Sequence, residues 1–149
     1  MHIFSLLLVL AKLAFPAAAQ DQAYMLGKAS AQITDALNIY AQAAEPIRSK
    51  MTVQQQLGTS LLFAAAMALE DNSLSLQGVC LLQQESKSPA ATKQRIVMPL
   101  IQQYRTSNAQ QVANLSLALN MLPPSLAKEA NLVMFAVSKA AAVIEKGCQ

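Results

Sequence analysis

The strongest constraint on the fold lies near the C-terminus. After Pro123-Pro124, the apolar residues Leu126, Ala130, Val133, Val137, Ala140 and Ile144 recur at alternating steps of four and three. Only a helix gathers that spacing onto one face, and a seam of this kind needs other helices to cover it. Lys146 suits the last turn, where a cation offsets the unpaired carbonyls, and Gly147 suits the position just beyond a helix end. Cys148 then falls immediately outside the helix.

Similar spacing recurs upstream. Between Asp21 and Glu45, the residues Met25, Ala29, Ile33, Leu37, Tyr40 and Ala44 mark one face of a helix ending near Pro46. From Thr52 a second stripe reads Val53, Leu57, Leu61, Ala64 and Ala68, although Leu61 to Leu69 is apolar on every side. An uncharged stretch of that length is too short for a membrane span and is expected at the centre of a bundle. Glu70-Asp71-Asn72-Ser73 reads as a solvated turn, followed by a further helical segment with Leu76, Val79, Cys80 and Gln83. Ser88-Pro89 reads as a helix start, because serine can cap free amides and proline fits the first helical position.

The stripe Ile96/Val97, Leu100/Ile101 and Tyr104 follows, and Pro99 within it predicts a kink or a break into two helices. Residues 112–122 are ambiguous: Leu115, Leu117 and Leu119 alternate with small and polar residues as in a strand. The absence of β-branched and aromatic residues after Val112 favours a helix. The expected fold is all-α: one alanine-rich domain over residues 20–149, a bundle of five or six helices.

The first residues, MHIFSLLLVLAKLAFPAAAQ, have the form of a cleavable signal peptide over 1–19, an apolar run followed by Ala17 and Ala19 at an A-x-A site. Lys12 interrupts the apolar run, which argues against a retained membrane anchor. The mature chain would begin at Gln20 in the periplasm or the extracellular space. Loss of Lys12 leaves 10 Lys+Arg against 8 Asp+Glu, a net charge of +2, which gives no strong field for nucleic acid or membrane. In an oxidising compartment Cys80 and Cys148 most simply pair with each other, the alternatives being two free buried thiols or an intermolecular bridge through Cys148. An internal disulfide closing a 68-residue loop is worth roughly 4 kcal/mol in the chain-entropy description.

The single histidine, His2, lies in the leader, so the mature chain has none. That removes serine–histidine and cysteine–histidine nucleophile pairs and imidazole-based zinc sites. The only adjacent acids, Glu70-Asp71, fall in the expected turn and so lack the apolar pocket an acid catalyst needs. Ser125-Leu126-Ala127-Lys128 matches S-x-x-K, but the S-D-N and K-T-G elements that accompany it in penicillin-binding enzymes are missing, and it reads as a polar first helical turn. Asn114-Leu115-Ser116 is a formal glycosylation sequon set among leucines. No metal, cofactor or nucleic acid is expected, and no catalytic activity.

What remains is binding. Lys93, Arg95, Gln102 and Arg105, within a basic, glutamine-rich stretch, form a candidate contact patch for an acidic partner, the alternative being an ordinary solvated face. The sequence favours an exported helical protein that binds another protein as an inhibitor, immunity-type or adaptor protein. The alternative is a carrier of an apolar or amphipathic small molecule in the bundle interior, motivated by the seven methionines.

Overall fold

A computed structural model describes residues 17–85 and 90–149. Residues 1–16 of the leader and the Ser88-Pro89 helix start lie outside the described residues. Among the described residues there are four long helices: α1 (Ala17–Ala44), α2 (Val53–Glu85), α3 (Ala90–Leu119) and α4 (Ala127–Lys146). Short 3-10 turns at Glu45–Lys50 and Pro124–Leu126 join α1 to α2 and α3 to α4. Helix α1 packs against α2 and α4, and α3 completes the bundle against α2, with lighter contacts to α4.

The bundle of five or six helices expected from the sequence is thus a bundle of four. A kink or a break was expected at Pro99, and the helix is not broken there, since Pro99 lies inside α3. Proline there removes the bond to the carbonyl of Arg95, and both residues are exposed, so water can satisfy the freed carbonyl and the helix continues. A further break was expected at Glu70–Ser73, where the polar run stays helical in the middle of α2. Its side chains find partners on neighbouring helices: Thr34 Oγ1 donates to Glu70 at 2.6 Å, Asn72 Nδ2 to Ser107 Oγ at 2.9 Å, and fully buried Ser73 to the carbonyl of Leu26 at 2.7 Å. Buried polar groups so satisfied cost little. Residues 112–119 are the last turns of α3, so the alternating leucines are helical, with Leu115 buried and Leu117 and Leu119 outside.

The core is built from one stripe per helix. Leu26, Ile33 and Tyr40 from α1 meet Leu62, Leu69 and Leu76 from α2, Leu115 from α3, and Val133, Val137 and Ile144 from α4. All six positions of the seam read in α4 are buried. In α1 the stripe is right except at its first residue, since Leu26 is inside and Met25 is 44% exposed. In α2 the expected stripe is rotated: Val53, Leu57 and Ala64 face outward, and Gly58, Leu62, Ala65 and Leu69 face the core. Nor does α2 occupy the centre of the bundle. It is one of four corners, with a long side open to solvent.

Gly58 allows one close approach. A Cβ at that position would sit 2.6 Å from the Cβ of Met121, so the first turns of α2 lie tight against the chain leaving α3.

Candidate functional site

Two regions stand out once the helices are placed. The first is the C-terminal end of α4, where the last carbonyls of a helix lack intrahelical partners. Each of the other helices sends one side chain there. From α1, buried Gln22 donates through Nε2 to the carbonyls of Val143 at 2.8 Å and Gly147 at 2.9 Å. From α3, Arg105 donates through Nε and Nη2 to the carbonyl of Glu145 at 3.0 and 2.6 Å, with the Glu145 carboxylate 3.8 Å from Nε. From α2, Cys80 forms the disulfide to Cys148. Gly147, at φ +68°, ends the helix by donating its amide to the carbonyl of Ile144 at 3.0 Å.

This geometry divides the basic patch read from the sequence. Arg105, half-buried, holds the end of α4 through its bonds to the Glu145 carbonyl. Arg95 and Gln102, two turns apart, share an exposed side of α3. Lys93 lies in the first turns of α3, and its side chain is outside the described part of the structure. Among the described side chains the patch comprises two exposed residues beside an arginine engaged with the end of α4.

The second region was not identified from the sequence. The open side of α2 carries Val53, Leu57, Ser60, Ala64, Met67, Asp71, Leu74, Gly78 and Leu82 along its whole length. Val53 is 83% exposed, Leu57 60%, Met67 52% and Leu82 69%. Between Val53 and Gln84 the only charged residues are Asp71 and the half-buried Glu70, which Thr34 engages. A run of thirty helical residues extends about 45 Å and, at a helix width of about 10 Å, presents roughly 450 Å². That is comparable to the largest apolar patch of an ordinary monomer.

At the N-terminal end of this face a cleft of about 450 Å³ opens beneath the 3-10 turn after α1. Its apolar floor is Ala44, Met51 and Phe63, and Thr59, Ser60, Gln56 and the exposed Glu45–Arg48 pair supply polar groups around it. Phe63 meets Tyr40 edge-on, with ring centroids 5.9 Å apart. The Tyr40 hydroxyl and Thr59 Oγ1 share a hydrogen bond of 3.2 Å. Burial holds the Tyr40 phenol above its ordinary pKa, the Thr59 bond works against that shift, and the carboxylate of Glu129 adds to it.

The remaining sequence motifs are structural. Ser125 lies exposed in the Pro124–Leu126 turn, and no side chain caps α4, so the S-x-x-K tetrad forms no site there. Asn114 is half-buried on α3 and bonds to Gln110 and Gln111. The methionines do not converge on an interior pocket: Met25, Met67 and Met98 are exposed, and Met51 is buried. Among the described residues no group of three or more metal-ligating side chains comes together, and no helix is long and apolar enough to cross a membrane. No protein family matches the chain, and no curated protein or solved structure is significantly similar to it.

Proposed function

We propose that this is an exported, non-enzymatic helical protein that binds another protein through the open side of α2. The observation that carries the reading is the exposure of Val53, Leu57, Met67, Leu74 and Leu82 along one helix with a single charged residue, Asp71, among them. A helix facing only water has no need of that composition, and an apolar strip free of charge at its centre is the ordinary make-up of an interface core. The cleft floored by Met51 and Phe63 adjoins the strip through Gln56 and Ser60. It offers a partner's anchoring side chain an apolar floor with polar groups at the mouth.

The disulfide supports the export part of the reading, since such bonds persist in oxidising compartments. It also makes the scaffold rigid, which lowers the entropy lost on association. We place the contact on α2 rather than at Arg95 and Gln102 because the exposed apolar residues beside that pair, Ile96, Met98 and Pro99, form a much shorter strip than the one along α2.

The test is affinity capture from the native compartment with the mature wild-type chain, the double variant Met67→Glu/Leu74→Glu, and Lys128→Glu on exposed α4 as a control. The expected result is a partner retained by wild type and by Lys128→Glu and lost with the double variant. Equal capture by all three, or none by the wild type, overturns the proposal.

A further inference from the structure

A furrow runs between α1 and α4 near the fastened end of α4, lined by no residue of α2. We infer that it binds a single-chain anionic amphiphile, specifically the monomeric anion of a fatty acid. The inference goes beyond the protein-binding reading and does not depend on it.

The furrow exists because the residues facing each other there are small. Ala29 of α1 and Ala142 of α4 leave a cleft of about 280 Å³, with Val143 in its floor and Met25 along one side. Ala29 and Val143 are buried, and Met25 is partly exposed. The lining is therefore hydrocarbon along its length, apart from three side chains. Lys28 and Gln32 stand on the α1 rim and Lys139 stands on the α4 rim.

Among the described residues neither lysine has a carboxylate partner. Among the described residues the ion pairs are Glu45–Arg48 and Glu145–Arg105, and no acid lines the furrow. The ammonium of Lys139 lies 4.4 Å from the centre of the Phe135 ring, a contact with an aromatic face that leaves its charge uncompensated. An apolar channel with an ammonium on each rim complements an alkyl chain ending in a carboxylate, which can accept hydrogen bonds from both lysines and from the Gln32 amide. The volume suits one chain, at the small end of ligand sites, and a concave furrow between helices does not fit the flat surface of a bilayer.

Calorimetric titration of the mature chain with decanoate below its micelle-forming concentration tests this, with decyltrimethylammonium as a cation of equal chain length. Saturable binding of decanoate at one site is expected, with the cation at least tenfold weaker. The variant Lys28→Gln/Lys139→Gln should weaken decanoate by about tenfold, the combined effect of two surface charge contacts. Exposed Ala142→Phe, which fills the furrow from outside, should abolish binding while its circular dichroism stays that of wild type. Absence of saturation, equal binding of the cation, or undiminished binding by either folded variant overturns the inference. So does co-sedimentation with phosphatidylglycerol vesicles in the absence of decanoate binding, which would point to a bilayer instead.

Discussion

Helices α4 and α2 are built from much the same residues and do opposite things with them. From Leu126 through α4 to Ile144 a buried seam is backed by an outer side that carries Lys128, Lys139 and Lys146 beside the exposed Leu132 and Phe135, and every other helix sends a group to the C-terminal end of α4. In α2 the buried stripe of Leu62, Leu69 and Leu76 is backed by an outer side almost as apolar as the inner one, which no other described residue covers. A four-helix core needs one apolar stripe per helix. The second apolar side of α2 is more than the four-helix core requires, and on our proposal that surplus is where a partner binds.

The largest effect should come from unfastening α4. Replacing both cysteines by serine should lower stability by about 4 kcal/mol, the entropic worth of closing a loop of this size, as measured by urea unfolding. A loss below about 1 kcal/mol would mean that Gln22 and Arg105 hold the end without the disulfide. Within α2, Leu62→Ala should cost about 3 kcal/mol, because Leu62 is fully buried and a cavity would remain. Gln22→Leu should cost about 2 kcal/mol by leaving the carbonyls of Val143 and Gly147 without their shared donor.

Smaller still is a pH effect at the Tyr40 end of the bundle. The folded pKa of Tyr40 is raised above the unfolded value of 10.0. Its contribution to stability is therefore complete below pH 10.0 and is lost as the pH rises through the folded value. Wild type should lose stability more steeply than Tyr40→Phe above that pH, and identical alkaline unfolding curves would remove Tyr40 from the account. The smallest effect is expected on the open side of α2. Leu57→Gln and Leu74→Gln should each change stability by less than about 0.5 kcal/mol, in contrast to Leu62→Ala on the same helix.

That contrast also marks how much of the molecule could be read from its residues. The seam of α4 was legible to the last position because apolar and charged residues alternate there with a clear period. Periodicity is a signal of contrast, and α2 has little: with Leu61 to Leu69 apolar on every side, the stripe was assigned to Val53, Leu57, Leu61, Ala64 and Ala68, of which Leu61 and Ala68 are half-buried and the other three face solvent. For the same reason the helix was expected at the centre, and its open side, the candidate site, went unseen. The one available signal was the near absence of charge from Val53 to Gln84, which marks either a buried helix or a covered one.

The polar residues misled in a different way. Glu70, Asn72 and Ser73 look like a turn in isolation, yet they hold α2 to α1 and α3. Their partners, Thr34, Ser107 and the carbonyl of Leu26, are distant in sequence. Gln22 and Arg105 became capping residues only once the end of α4 was placed beside them. The disulfide was legible because just two cysteines were available to form it, and Cys80 and Cys148 do so.

The central claim is that the open side of α2 is covered by another protein where this chain works. The most direct measurement places a photo-crosslinking residue at position 67 or 74, with exposed position 38 on α1 as the control, and irradiates the protein in its native compartment. The account predicts a discrete adduct with a second protein at 67 and 74 and none at 38. No adduct at the α2 positions, or the same adduct with equal yield at 38, would contradict it.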